Sequence, residues 1–372
     1  NGEEEEGGGE EEGEEGEEGG GGGEEEEEEK ERQEQEKEEY EASVSHQSRK
    51  GKEEVEEDDD EAGSSSRDVT PPIKAPQSIQ SIASPEPNSA LYSGRFNNEG
   101  AVEIQGSFAH AFKFFKNTGT IGTDDTFYVT AETGDLSGEI TAAVIRIIMN
   151  GFKGNKTNVK LVARYHAWLE SLTGPLEFNG MIADGADRPK APTNQNLPKG
   201  LFLRAHSDLT HNGVLTAKSL PIYVLSQTGK FTEAPGSLTS GGYFDQSTIQ
   251  LKAATTAELN GRLSASSAVT LIAEMAKLKG WREIESLFNL QVSGDLTQDE
   301  DDHTKAQYIV GKIGGNAALR GVFEYVAGID LDVKGHLDAT ATFKALHQAA
   351  LAKIMAGSMT DGLQLEGGSL QA

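Results

Sequence analysis

Residues 208–217 spell Asp-Leu-Thr-His-Asn-Gly-Val-Leu-Thr-Ala, and residues 330–339 spell Asp-Leu-Asp-Val-Lys-Gly-His-Leu-Asp-Ala. Both stretches share the pattern Asp-Leu-x-x-x-Gly-x-Leu-x-Ala. A shorter form, hydrophobic-x-Gly-x-hydrophobic-x-Ala, occurs at 136–142 and again at 259–265. The apolar residues alternate with polar ones, which is the period of a strand, and a glycine at a fixed place in a strand marks a bend or a close backbone approach. These patterns therefore predict strands that bend at their glycines.

Other short motifs occur in the same order in the two halves of the chain. Leu169–Leu172 followed by Gly180 resembles Ile284–Leu287 followed by Gly294. The distance between paired glycines ranges from 114 residues (294 − 180) to 130 (236 − 106), which requires loops of unequal length, and long loops cost little free energy. The order predicts a tandem duplication, although a glycine-rich chain also produces such matches by chance.

The predicted fold class is α+β and β-rich, with two tandem related domains behind a long acidic tail. The predicted boundaries are a tail at 1–61, an arm at 62–96, a first copy at 97–228, a second copy with a C-terminal helix at 229–356, and a C-terminal tail at 357–372. The clearest single strand is Asn158–Leu169, where apolar and polar residues alternate.

Four segments have apolar residues at helical spacing or align with one that does. They are Ala268–Phe288 with a break at Gly280, Thr342–Ala356 stopped by Gly357, Asn316–Val326, and residues 139–150, which align with 262–276. We expect the first three segments to be helices. Residues 139–150 fit either a helix or a strand, and the alignment favours the helix.

The negative charge is concentrated at the N-terminus. The whole chain has a formal net charge of −29; residues 1–61 contain 31 Asp and Glu against 6 Lys and Arg, a net of −25 (6 − 31), which leaves −4 for the rest. Segments rich in Glu and Gly bury too little apolar surface to offset the entropy of ordering, so the sequence predicts an intrinsically disordered acidic tail. Such a tail is suited to weak contacts with basic proteins or divalent cations. A body of net −4 gives no strong signal for nucleic-acid binding.

The proline- and serine-rich segment 62–96 follows the tail. It is predicted to be an extended linker, or an arm that docks on a neighbouring subunit. The apolar residues that would dock are Ile79, Ile82, Leu91 and Tyr92. The chain begins with Asn1, which indicates a processed or partial sequence.

No recognised catalytic or cofactor motif is present. The 8 histidines form no His-Glu-x-x-His pair, Gly151–Thr157 lacks the spacing of a phosphate loop, and there is no cysteine for a thiolate site or a disulfide. We therefore expect no catalytic residues and no cofactor. The acidic string Asp299–His303 leaves a metal site undecided, because weak calcium binding and a solvated insertion loop both fit its composition. The longest apolar run, Ile140–Met149, is too short to span a bilayer and contains Arg146, so no membrane-spanning helix is expected.

One face of the predicted strand at 158–169 carries cationic and aromatic residues. Arg164, His166 and Trp168 alternate with the apolar face, and side chains of this kind are common at interfaces. We predict that these three residues contribute to an interaction surface.

A duplicated body without a catalytic set favours a non-enzymatic structural protein. We predict homo-oligomers that form a shell, sheet or coat, such as a compartment shell or viral capsid, through two pseudo-symmetric halves. Two alternatives remain open: a module that binds a ligand or peptide between the halves, and a chaperone of basic proteins that acts through the acidic tail.

Overall fold

The computed structural model describes residues 94–185, 199–241, 248–360 and 364–371. The fold is a parallel β-solenoid of about 12 turns that starts at residue 95, with 70% of the described residues in strands and 1% in helix. The predicted α+β fold with two related domains is therefore wrong.

Thirty strands and one short 3-10 turn make up the described residues. In chain order they are β1 Arg95–Asn98, β2 Ala101–Ile104, β3 Phe108–Asn117, β4 Thr120–Thr123, β5 Thr126–Leu136, β6 Glu139–Phe152, the 3-10 turn Lys153–Asn155, β7 Lys156–Thr157, β8 Lys160–Ser171, β9 Leu176–Phe178, β10 Met181–Asp184, β11 Gly200–Ala205, β12 Leu209–His211, β13 Val214–Ala217, β14 Ile222–Ser226, β15 Phe231–Glu233, β16 Leu238–Gly241, β17 Ile249–Ala253, β18 Thr256–Leu259, β19 Arg262–Ala265, β20 Val269–Ala273, β21 Met275–Leu278, β22 Trp281–Val292, β23 Leu296–Gln298, β24 His303–Ile313, β25 Ala317–Leu319, β26 Val322–Ala339, β27 Thr342–Ala345, β28 Leu351–Met359, β29 Gln364–Glu366 and β30 Ser369–Gln371.

Each turn of the coil, or rung, has three sides. Side 1 is the stack that contains β2, β4, β10, β13, β16, β19, β27 and β29; side 2 contains β11, β14, β17, β20 and β30; side 3 contains β1, β9, β12, β15, β18, β21, β23 and β25. The long strands pass a corner and belong to two sides. Successive side-1 strands begin 19 (120 − 101) to 24 (238 − 214) residues apart, except for one step of 33 (214 − 181).

Each position inside the coil stacks on the same position of the next rung. On side 1 the inward column is formed, in register, by Val102, Ile121, Ile140, Leu161, Ile182, Leu215, Thr239, Leu263, Arg282, Thr304, Phe323, Phe343 and Leu365. Inward and outward side chains alternate because strand side chains have a period of two. The buried columns of the three sides form one continuous hydrophobic core.

Glycines mark the corner that leads into side 1. A glycine directly precedes eight of the side-1 strands, namely Gly100, Gly119, Gly138, Gly180, Gly213, Gly261, Gly280 and Gly321. A Cβ atom at Gly138 would run into the carbonyl oxygen of Gly119 on the preceding rung. At Gly138 the backbones of neighbouring rungs thus approach too closely for a side chain.

We expect Gly138→Ala to lower the free energy of unfolding by about 1–3 kcal/mol, because the neighbouring rung must shift to admit the methyl group. The matched control is Gly151→Ala, since a Cβ at Gly151 meets no atom within 4 Å. Urea denaturation followed by circular dichroism gives both values. Equal midpoints for the two variants would contradict the close approach at this corner.

The two sequence copies do not occupy equivalent places in the coil. Residues 208–217 pass from side 3 to side 1 through β12 and β13, whereas residues 330–339 lie within β26 and pass from side 2 to side 3. Gly180 precedes a side-1 strand and Gly294 precedes the side-3 strand β23. Of the paired motifs, only the two occurrences of the short form, at 136–142 and 259–265, lie in equivalent places, because both cover the corner between side 3 and side 1. The real repeat is a single rung, and similar three-sided rungs produce chance matches at longer distances.

The predicted strand at Asn158–Leu169 is confirmed as part of β8, but the four predicted helices are wrong. Residues 139–150 lie in β6, Ala268–Phe288 spans β20, β21 and part of β22, Asn316–Val326 spans β25 and part of β26, and Thr342–Ala356 spans β27 and part of β28. In each case the corner between two short strands shifts the alternating pattern by one or two residues, and the shifted pattern imitates helical spacing.

The predicted acidic tail and the predicted arm up to residue 93, with Ile79, Ile82, Leu91 and Tyr92, lie outside the described residues. The last two residues of the predicted arm, Arg95 and Phe96, lie in strand β1. Among the described residues, no helix has the length and apolar character needed to cross a membrane.

Candidate functional sites

A stack of aromatic and cationic side chains covers the outer face of side 2. Tyr128, Arg146, Trp168, Phe202 and Tyr223 come from five successive rungs and are aligned by strand register. The Trp168 and Phe202 ring centroids are 4.7 Å apart and those of Phe202 and Tyr223 are 4.6 Å apart, in stacked geometry. The Arg146 guanidinium lies 5.3 Å from the Tyr128 ring centroid and 5.5 Å from that of Trp168. These distances are within the range of cation–π contact.

Polar groups hold the centre of this stack. The indole N–H of Trp168 donates to the Glu170 carboxylate over 2.8 Å, and Glu170 pairs with Arg204 at 3.2 Å. The His166 ring lies 5.1 Å from the Phe202 ring. Trp168 is only 7% exposed, so this network fixes its orientation. Burial of Tyr223 raises its pKa, which keeps the phenol protonated at neutral pH.

Arg146 differs from the other cations of this surface because it has no counter-charge. Within the described part of the chain its guanidinium meets no carboxylate, and its Nε atom is buried without an acceptor. The Tyr128 hydroxyl beside it is also buried without a hydrogen-bond partner. A buried donor without an acceptor costs free energy until a ligand or water provides one.

The structure brings together two of the three residues predicted from sequence. His166 and Trp168 lie in the side-2 stack, whereas Arg164 lies at the preceding corner, where the register shifts between Ala142 and Val144 and the guanidinium contacts the Tyr165 ring at 4.9 Å. Sequence reasoning missed the other members of the stack: Tyr128, Arg146, Phe202, Arg204 and Tyr223. They become visible only once the rung period is known, because members of the stack on neighbouring rungs are 18 or more residues apart along the chain.

The two ends of the coil form a second candidate surface. Among the described residues, β1 and β2 pair with one strand each at the first end, and β29 and β30 pair with one strand each at the last. The first end carries Phe96, Phe108 and Phe112 with ring centroids 5.5–6.5 Å apart, all only partly buried. The last two rungs carry Leu351, Met355 and Met359 with 43–45% of their surface exposed. Exposed apolar side chains therefore lie at the first end and on the last two rungs.

A row of alternating charges leads to the last rung on the outside of side 1. Strand register aligns Glu283, Lys305, Glu324, Lys344 and Glu366. Lys305 pairs with Glu283 at 3.0 Å and Lys344 pairs with Glu324 at 2.8 Å. The Lys344 ammonium lowers the pKa of Glu324. The row ends on the exposed Glu366, which has one cation on its inner side.

Polar side chains interrupt the core near the corner between sides 3 and 1. Arg282 is fully buried in the inward column of side 1 and forms an ion pair with the buried Asp302. Its Nε donates to Thr304 over 3.1 Å and its Nη1 donates to the Leu259 carbonyl over 3.3 Å. Asp302 also accepts hydrogen bonds from Gln298 at 2.7 Å and from Thr304 at 3.1 Å. The whole group is sealed from solvent, so it acts on stability.

Two further ionisable residues lie in the same region. His211 and Glu233 are register neighbours on side 3, and both are fully buried. Burial raises the pKa of Glu233 to about 7, against the opposing effects of a hydrogen bond from Thr239 and the charge of Arg282. Burial lowers the pKa of His211 to about 4. It also lowers the pKa of Arg282 to about 10, and that shift is opposed by Glu233. Near neutral pH Arg282 is therefore charged and His211 is neutral.

The acidic string Asp299–His303 does not converge on one point. Asp299 pairs with Lys279 at 3.1 Å, Asp302 points into the core toward Arg282, and His303 stacks on Trp281 with ring centroids 4.2 Å apart. The interpretation as a solvated insertion loop thus fails at Asp302. No cluster of three or more metal-ligating side chains occurs among the residues that the structure describes.

Comparison of the chain with protein-family models, curated proteins and solved structures gives no match. The arguments for function therefore rest on the stack of side 2, the open ends and the buried polar group.

Proposed function

We propose that this chain is a non-enzymatic structural protein that assembles end to end with copies of itself into a filament. The observation that carries this proposal is that, within the described residues, the inward column of side 1 has an apolar residue at each end of the coil. Val102 starts the side-1 column and Leu365 finishes it, and both are only partly buried. Solenoid proteins that stay monomeric need terminal repeats with a polar outer face.

The two ends are complementary to each other. All strands are parallel, so the free edge of the last rung can pair with the free edge of the first rung of a second copy, as neighbouring rungs do within one chain. In that arrangement Leu365 stacks on Val102 of the second copy, which places an apolar residue on an apolar residue. A head-to-tail contact of this kind does not close on itself and produces an open filament.

This proposal changes how the predicted self-assembly would occur. A shell, sheet or coat built from two pseudo-symmetric halves requires two halves, and the solenoid is one continuous coil. A ligand site between halves loses its basis for the same reason. The chaperone alternative depends on residues 1–61, which lie outside the described residues.

Blocking one end at a time tests the proposal. We expect the wild-type chain to form filaments in negative-stain micrographs, and we expect Leu365→Asp and Val102→Asp to abolish them, since each places an uncompensated charge in the junction. A mixture of the two variants should form dimers and stop there, because each variant keeps one intact end. Multi-angle light scattering measures the masses. A monodisperse wild-type monomer at high concentration would refute the proposal.

Charge at the junction gives an independent prediction. The stacked arrangement aligns Glu366 with Glu103 of a second copy, and that pair breaks the alternating row. We expect Glu103→Lys to continue the row and strengthen assembly by roughly 0.5–1 kcal/mol per junction, with the gain shrinking as salt rises. Glu285→Lys, at an exposed position far from either end, is the control. Equal critical concentrations for these two variants would exclude this register.

A further inference from the structure

The outer face of side 2 carries an arginine that has no anionic partner among the described residues. Arg146 is half-buried between two aromatic rings and lacks a carboxylate partner, whereas Arg204 two rungs further is paired with Glu170. A guanidinium in this position is desolvated on both faces and keeps its hydrogen-bond donors for a group outside the chain. Carboxylates match its planar fork with two parallel hydrogen bonds.

The groups around Arg146 suit a sugar chain. The Tyr128 hydroxyl has no partner within the described residues, and sugar hydroxyls both donate and accept hydrogen bonds. The partly buried rings of Phe202 and Tyr223 continue the surface along the coil axis, stacked on the buried Trp168. Because neighbouring rungs are about 4.8 Å apart, the five residues of the stack extend over roughly 19 Å. That length accommodates several sugar units and makes a linear polymer a better fit than a single small anion.

A peptide fits this surface less well. Extended peptides bind by adding a strand to a free sheet edge, and helical peptides bind in grooves. The strands that carry Arg146, Trp168 and Phe202 are internal to the sheet, with a paired neighbour on each side. Their backbone groups are therefore already used. With one unpaired guanidinium, the surface also matches a ligand of sparse charge better than a densely sulfated one.

We propose that the side-2 stack binds a carboxylated polysaccharide, with the Arg146 guanidinium paired to a carboxylate and the Tyr128 hydroxyl hydrogen-bonded to the sugar. This function is additional to end-to-end assembly and uses a different face of the coil, so either can fail without the other.

Affinity electrophoresis of the full chain in gels that contain alginate tests the binding. At about 0.15 M salt we expect alginate to retard the wild-type chain and neutral dextran to leave it unaffected. Arg146→Ala should weaken binding about tenfold or more, and Arg146→Lys should retain part of it, because a charge-assisted bidentate pair contributes more than a point charge. Tyr128→Phe should weaken binding about threefold and leave the ring stack intact. Arg262→Ala, an exposed arginine on side 1, is the control and should bind as the wild type does.

Four results would overturn the proposal. The first is equal retardation by alginate and dextran, and the second is an equal loss of alginate binding in Arg146→Ala and Arg262→Ala. The third is binding to polyglutamate as tight as to alginate, which would indicate an acidic peptide partner. The fourth is tighter binding to dextran sulfate than to alginate, which would remove the preference for carboxylate. Circular dichroism establishes that each variant is folded, and if Arg146→Ala is not, Arg146→Lys and Tyr128→Phe decide the result.

Discussion

Replacing Asp302 by asparagine should lower the free energy of unfolding by about 3–5 kcal/mol, because it removes the carboxylate that is ion-paired with the buried Arg282 guanidinium. Arg282 and Asp302 are both sealed in the core, so solvent does not replace the lost carboxylate. The asparagine keeps the size of the side chain, and its oxygen still accepts from Gln298 and Thr304. Its amide nitrogen then replaces the carboxylate oxygen that faces Arg282, so the change removes both the charge and the acceptor of the ion pair. Chemical denaturation at pH 7 measures the loss.

The control is Asp301→Asn, which makes the same chemical change at the neighbouring acidic residue, which is exposed. Arg282→Leu with Asp302→Asn should recover most of the stability, since leucine fits an inward column whose neighbour is Leu263 and an ion pair replaced by apolar packing is often neutral. A double-mutant cycle gives the coupling energy. A loss in Asp302→Asn no larger than that in Asp301→Asn would show that the ion pair contributes nothing to stability.

Replacing Glu233 by glutamine should raise the free energy of unfolding by roughly 3 kcal/mol at pH 8 and by almost nothing at pH 4. The pKa of this buried carboxyl is about 7 in the folded chain, against an ordinary value of 4.5. Below about pH 4.5 the carboxyl is protonated in both states. As the pH rises from 4.5 to 7 the unfolded chain releases the proton first, so the wild type loses stability over that window and stays lower above it.

The groups that face Glu233 are Thr239, Arg282 and the register neighbour His211. His211 has the opposite dependence: its pKa of about 4 in the folded chain means that stability is lost as the pH falls from 6.5 to 4. The windows overlap, so the quantity to compare is the difference between Glu233→Gln and wild type at each pH. Glu285→Gln, at an exposed position, should show no such difference. A pH-independent effect of Glu233→Gln would show that the carboxyl keeps its ordinary pKa.

The sequence predicts a strand well where the alternation of apolar and polar residues is uninterrupted. At 158–169 the alternation of apolar and polar residues is sufficient to identify β8. The bend at the glycine of 136–142 is also correct, since Gly138 separates β5 from β6. These features depend on a few neighbouring residues, and local sequence contains them.

The side-2 stack and the buried ion pair are invisible to local reasoning. From the local sequence alone, Arg282 resembles a polar residue on the surface of a strand. Only the register with Leu263 and Thr304 shows that its position faces inward. The acid that pairs with it lies in a string that resembles a solvent-exposed loop. The unequal rungs, above all the 33-residue step after Met181, prevent a fixed period from emerging in the sequence.

Because the chain returns to the corner before side 1 in every rung, the coil can become longer or shorter by one whole rung at a time. Removing the 19 residues from one side-1 start to the next, Arg262 to Gly280 for example, would join Gly261 to Trp281 and return the chain to the same corner. Each such step changes the coil by about 4.8 Å, and the 13 side-1 strands extend over about 58 Å. The distance between the two ends of the coil is thus a whole number of rung spacings. In a filament of such coils, the distance from one side-2 stack to the next would change only by whole rung spacings.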